Sequence, residues 1–483
     1  MIGAQQSSST RGKGKRGRRR FPAENRWVPF AGGILAIGVL SLWAGLALPS
    51  GTAAEVSARP EAQEVPVIVS EIPLVCPPGI VDPDKLTKQG ASFNAGVALG
   101  SWVPGATEPL VGGGEALLIS GDAAAEGISG VSLAGIDEGD LLSFIVESCQ
   151  IPNQDLAFAA GATTVGEDTV LVMSNPTENA ATVHLQIFGS LGQVLEVPAD
   201  IVVPSLSTVS VLPGAWAPGE DSPVITVNVE GAGIGAWLQT SALEGEVPLG
   251  VARVQGAVPH ERLVLAGISK SDAASLRIGN LGVDATQVEI LVLTEDGEIP
   301  LPGAESTPVE AKSVLTIDLA GVGAAAHAIV VQGDQPLIAT ITETTAGAKH
   351  PDVKNAHYSG RTVVGPTYQI TGAELVDVED LVEEAKSLGF SDVEVALAVA
   401  NPDDTAAEVT LQGTTRSLPA ASSVLYPILP TLPTTQLTAD RPVFAAYVVT
   451  AQTPAGPVRS VTSLGTEGIL AQTRLVSLLP DHE

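Results

Sequence analysis

Three asparagines, Asn175, Asn280 and Asn401, stand inside matching patterns of apolar residues, and that match constrains the fold more than any other feature. Four positions before each is a leucine (Leu171, Leu276, Leu397), and two before are Met173, Ile278 and Val399. Eight positions after are Val183, Val288 and Val409, and ten after are Leu185, Ile290 and Leu411. Apolar residues at alternate positions on both sides of a break mark two strands that each bury one face. The break itself reads Ser174-Asn175-Pro176, Gly279-Asn280-Leu281-Gly282 and Ala400-Asn401-Pro402. These are turn residues: an Asn amide bonds its own backbone, and a proline ring fixes φ. Gly192 and Gly297 mark the next turn in the first two copies.

Each copy continues alike, with a β run (Val209–Leu212, Val314–Leu319, Val424–Tyr426) and then a small-residue or proline turn into another apolar strand. The asparagines are 105 and 121 residues apart. That spacing is too long for a propeller blade or solenoid repeat and near the roughly 100 residues of an immunoglobulin-like sandwich. The expected fold is all-β: tandem immunoglobulin-like β-sandwich domains at 153–258, 259–365 and 366–483, behind a single N-terminal transmembrane helix. Each sandwich is expected to hold its own core, with small contacts between neighbours. The third is shorter after its asparagine, which implies a trimmed middle hairpin.

The N-terminal expectation comes from charge. Residues 1–26 carry eight Lys or Arg against Glu24 alone, while the whole chain has a net charge of −30. The uncharged run 27–49 follows, and its 23 residues suffice to cross a bilayer as a helix. The basic tail predicts a cytoplasmic N-terminus, with Trp27 and Trp43 suited to the interfaces. Residues 50–483 are then extracytoplasmic, anchored or, after cleavage near Thr52-Ala53-Ala54, secreted. Their acidity argues against a nucleic-acid partner, since phosphate contacts need clustered Lys and Arg. Cys76 and Cys149 both lie beyond the apolar run, and two cysteines in an exported chain most simply pair. Closing that loop is worth on the order of 4 kcal/mol.

Residues 50–75 read as a spacer, and 76–152 as a disulfide-bounded β region, either a fourth unit or a wrapping extension. Leu375, Val378, Leu381, Val382, Ala385 and Leu388 recur at helical spacing before Gly389, predicting a helical insert near 374–388.

The search for chemistry yields no catalytic residue, no metal ligand set and no cofactor site. The six histidines include no HExxH pair, because Val264 stands where His260-Glu261 would need the second ligand. His350 and His357 flank a polar loop without a ligand pattern. There is no GxSxG elbow. Gly231-Ala232-Gly233-Ile234-Gly235 lacks the lysine ending of a phosphate loop and reads as a close-packed strand start. Glu295-Asp296-Gly297-Glu298 falls at a predicted hairpin tip without the rhythm of an EF-hand loop and reads as solvated, with weak calcium binding the alternative there and at Asp403-Asp404. Trp102 and Trp216, in Pro- and Gly-rich loops, are the possible ligand contacts, since loop aromatics can stack on a sugar face. Trp237 lies in an apolar strand and reads as core.

The basic tail and single anchor precede Cys149-Gln150-Ile151-Pro152-Asn153-Gln154-Asp155, Gly161-Ala162-Thr163 and Leu171-Val172-Met173-Ser174-Asn175-Pro176. With Asp440-Arg441-Pro442-Val443-Phe444-Ala445-Ala446, this resembles an actinobacterial family of exported or membrane-anchored proteins of unknown function, over roughly Cys76 to the C-terminus. The resemblance implies a gene neighbourhood of very large membrane glycosyltransferases of the cell envelope, and transfers no catalytic residues. The expected function is a non-enzymatic extracytoplasmic scaffold or accessory subunit, attached to the membrane through 27–49 and holding protein partners such as a membrane glycosyltransferase. The alternatives are a glycan- or surface-binding protein and a hydrolase using loop carboxylates.

Overall fold

The structure is a computed structural model that describes residues 63–66, 71–86, 97–100, 106–109, 117–122, 130–189, 192, 194–197, 200–269, 271, 273–319, 322, 326–430, 436–465 and 473–476. The run 27–49 and Trp102 lie outside the described residues, among which no helix is long and apolar enough to cross a membrane. The chain forms two compact units. In the first, residues 1–66 with 473–483, Gln63–Pro66 pairs antiparallel with Thr473–Val476. The second, residues 67–472, is built almost wholly of strands, with one α-helix among the described residues. The stretch read as a spacer therefore contains strand, since Glu71–Cys76 also pairs, with Leu117–Asp122.

Within the second unit one strand plan occurs three times. The asparagine strand (Glu167–Asn175, Ala273–Asn280, Ser391–Asn401) pairs on one side with an edge strand, Ser207–Val211, Val314–Asp318 or Ser422–Ile428. On its other side it pairs with the second half of a long strand, Gly235–Glu244, Ala326–Lys349 or Gln436–Thr453. The long strand's first half (a separate strand, Val224–Glu230, in the first repeat) pairs with the strand after the asparagine, Ala181–Phe188, Thr286–Thr294 or Ala407–Leu411. A closing strand, Val247–Gln255, His357–Val364 or Gly456–Ser463, completes each repeat against the second half. Each repeat thus curls its sheets over a core.

The register is the one the apolar pattern dictates. Leu171 lies opposite Val211 and Leu238, Leu276 opposite Ile317 and Ile341, Leu397 opposite Tyr426 and Tyr447. All three leucines are fully buried, as are Val183, Val288 and Val409. The residues one step on, His184, Glu289 and Thr410, face away and reach solvent. In the third repeat Gln412 and Gly413, both with positive φ, make a two-residue turn from Ala407–Leu411 to Thr414–Leu418, so the middle hairpin is short.

The asparagines do more than break the strands. Each is fully buried and donates Nδ2–H to the carbonyl four residues on (Asn179, Asp284, Thr405), at 2.8 Å in every copy. Each also donates to a carbonyl just before the edge strand: Val203 and Pro204, Val309, and Pro419. Oδ1 accepts the N–H two residues on. Three copies of one buried clamp tie two connections together.

The expectation of separate cores is corrected. The core of the second repeat includes Ala398, Ala400, Ala446, Val448 and Val461 from the third. The core of the third includes Val131, Leu133, Phe144 and Val146 from the disulfide-bounded region. The cause is visible in the asparagine strand of the third repeat: Leu397 and Val399 face its own core, and the intervening alanines offer a second apolar face to a neighbour. Val131–Ile136 and Ser143–Ser148 in turn extend the first repeat's sheet beyond Val247–Gln255. The helix lies within the expected 374–388 but is shorter: it spans Val378–Ser387, starting four residues later, because Gln369–Glu374 is strand and the Asp377 carboxylate caps the amides of Glu379 and Asp380. Val378, Leu381 and Ala385 are buried in the shared core, and Phe390 after the helix packs on Phe144 at 4.8 Å.

Candidate functional site

Polar side chains with buried charge concentrate where the closing strands meet. Val247–Gln255 packs against His357–Val364, which packs against Gly456–Ser463, which packs against Ser143–Ser148. Ser143–Ser148 returns to the first through a parallel bridge between Ser143 and Val251. The four strands make a ring. Two glycines let the backbones approach: a Cβ on Gly250 would lie 2.7 Å from Arg361 N, and one on Gly360 2.9 Å from Pro457 O.

Each closing strand carries one arginine toward an acid of the unit before it. Arg361, in the second repeat, donates to both oxygens of Glu167 in the first, at 2.8 and 3.0 Å. Arg459, in the third, pairs with Glu343 of the second and donates to the Gly267 carbonyl. Glu343 also accepts from Ser269 N at 2.8 Å. Arg253, in the first repeat, approaches Glu147 of the disulfide-bounded region at 3.8 Å and donates to the carbonyls of Pro78 and Gly79 at 2.7 and 2.6 Å. Burial lowers the pKa of both Arg253 and Arg459, opposed by their acids. Burial pushes the Glu147 carboxyl up to about 8, against the pull of Arg253. The ring closes between Ser143–Ser148 and Gly456–Ser463 by hydroxyls rather than a ladder: Val146 N donates to Ser460 Oγ, and Ser148 N to Thr462 Oγ1, each at 2.9 Å.

Cys76 and Cys149 are joined in a buried disulfide, with Cys149 directly after Ser143–Ser148. The chain on either side of it is sewn to the first repeat by buried amides. Gln239 exchanges two hydrogen bonds with the backbone of Val81, and Gln150 bonds Ala236 N and Gly256 O. The arginines and glutamines of the joints were missed by motif reading, which looks for spacing within one segment; their signal was a lone charge inside an apolar strand, as in Val251-Ala252-Arg253-Val254.

Other candidates resolve into structure. Trp216 is half-buried, packed against the first core at the end of the 3-10 turn Pro213–Ala215. Trp237 is fully buried. Gly233 lies where a Cβ would strike the Asn153 backbone, the close packing expected of the glycine run. His350 Nδ1 accepts the amides of Asp352 and Val353, closing its own loop, and its ring lies 4.8 Å from that of Tyr358. Asp403 stands 3.7 Å from Arg262. A concavity of about 310 Å³ is lined by Asp82, Asp84, Glu138, Asp140 and Asp168. Burial raises the Asp168 carboxyl, helped by Asp84 and Glu167. Among the described residues no group of three or more His, Cys, Asp or Glu is placed to hold a metal.

The profile of a family of unknown function, DUF5719, matches residues 110–371, more than half the chain. The chain belongs to that family. The match runs through the first two repeats and the joint between them, and the third clamp, at Asn401, lies beyond it. No curated protein matches the chain.

Proposed function

We propose that this DUF5719 protein is a non-enzymatic extracytoplasmic scaffold or accessory subunit of a cell-envelope complex, anchored through 27–49 and serving a membrane glycosyltransferase. Its repeats are read as immunoglobulin-like sandwiches held in one arrangement. The observation that carries the reading is the series of arginine–acid contacts at the joints, one from each repeat to the unit before it, buried at Arg253 and Arg459 and part-buried at Arg361. Buried pairs add little net stability but penalise any arrangement that parts them, which suits a part whose task is to present surfaces in fixed relation. The Glu147 carboxyl, which burial raises, lies inside a joint whose cavity of about 10 Å³ leaves no room for a substrate. The disulfide agrees with an oxidising compartment.

The deciding experiment is affinity purification of the full chain from detergent-solubilised membranes. Enrichment of a membrane glycosyltransferase is expected, and recovery of the chain alone, with turnover of a cell-wall glycan, would replace the scaffold by the hydrolase reading. Protease added to intact cells should cleave within 50–483 and spare the basic tail.

A further inference from the structure

Of the three arginine–acid contacts, one is incomplete. Arg361 and Arg459 bond their acids directly, whereas Arg253 and Glu147 stand 3.8 Å apart. Among the buried polar atoms without a hydrogen-bond partner in the described residues, three belong to side chains at one cavity of this joint: Glu147 Oε2, Arg253 Nε and Gln255 Oε1. Their residues are each at least nine-tenths buried and line one cavity of about 10 Å³, together with Thr367, Thr462 and Ser463. Orphaned buried groups of this kind are costly, so three around one void call for a shared partner.

We propose that this cavity is a binding site for a single interior water molecule, which bridges Glu147, Arg253 and Gln255 and completes the joint between the disulfide-bounded region and the first repeat. The volume matches about one water. The chemistry selects it as well. The Gln255 oxygen accepts and the Arg253 Nε–H donates, and a water molecule meets both while donating to Glu147 Oε2, or accepting from it where that oxygen carries the carboxyl proton. A cation would face the Arg253 guanidinium, an anion would face the Glu147 and Gln255 oxygens, and any larger molecule exceeds the space. Glu147 and Arg253 are the charged groups lining the cavity, and hydroxyls and backbone supply the rest.

A crystal structure of the full chain, at a resolution that shows ordered solvent, tests this directly. The expected result is one fully occupied solvent peak within hydrogen-bond distance of all three atoms, as well ordered as the walls. Gln255→Leu, which removes one acceptor and fills the void, is expected to abolish the peak. A dry cavity in the unaltered protein overturns the proposal whatever the variant does. So does a rotated Glu147 that bonds Arg253 directly, or a peak unchanged in Gln255→Leu. Magnetic relaxation dispersion of water oxygen gives a second readout in solution: the variant should lose one long-lived water relative to the unaltered chain, and equal counts would count against the site.

Discussion

Asn175, Asn280 and Asn401 each engage backbone groups of two separate connections from a fully buried position. The clamp explains why the same residue recurs where many turn residues would serve: a carboxylate lacks the donor and a hydroxyl lacks the reach. Asn401→Ala leaves the carbonyls of Thr405 and Pro419 and the amide of Asp403 without this partner. The expected loss is about 2–3 kcal/mol in urea unfolding. Asn401→Asp should do no better, because an anionic oxygen then faces two carbonyls. Glu147 gives a prediction in pH. Its carboxyl is raised from 4.5 to about 8 in the fold, so the folded state holds the proton more tightly than the unfolded chain. Its contribution is full below pH 4.5 and is lost as pH rises to about 8, by at most about 1.4 kcal/mol per pH unit. Unfolding midpoints compared at pH 5 and pH 8 should fall with pH in the unaltered chain, and Glu147→Gln should flatten the fall. A slope identical in both would show that the carboxyl is ionised throughout.

At the level of strands, what the sequence shows is one face at a time. Alternation around the asparagines places Leu171, Leu276 and Leu397 inward because a single-residue slip would turn the whole apolar set outward. The helix near 374–388 is legible from its period, but its start is set by the Asp377 cap and by the preceding strand pairing with Gln436–Thr453. The second face of Ser391–Asn401 is harder to read. Alanines at 396, 398 and 400 are as compatible with a solvated face as with a packed one, and only the neighbouring repeat decides. Ala398 and Ala400 are fully buried against the second core. Ala398→Leu should therefore cost about 1–3 kcal/mol by overpacking the contact between repeats. A leucine at an outward position, Glu289→Leu, is expected to stay within about 0.5 kcal/mol. Thermal unfolding of the two variants separates a packed second face from a solvated one; equal, small effects would mean the repeats do not press together there.

Across the whole second unit, the joints are the part that no local pattern announces. Arg459 and Glu343 are 116 residues apart and meet only after both repeats have formed. Arg459 shows in the sequence only as a charge between Val458 and Val461, and Glu343 only as an acid in a threonine-rich strand. The consequence is energetic coupling along the chain. Arg459→Ala strands the Glu343 carboxylate, 3% exposed, with Ser269 as its remaining donor among the bonds described above. Removing one partner of a buried pair typically costs about 3–5 kcal/mol, whereas replacing both with apolar residues of like size is often neutral. Arg459→Met combined with Glu343→Leu is therefore expected to recover most of the loss seen in Arg459→Ala. Because the second and third cores share side chains, calorimetry should show both repeats shifting in one transition in the single variant. Had the repeats been joined only by small contacts, the Arg459→Ala trace would split, with one repeat melting early and its neighbour unmoved. A split trace would limit the joint to a surface contact and remove the physical basis for a rigid scaffold.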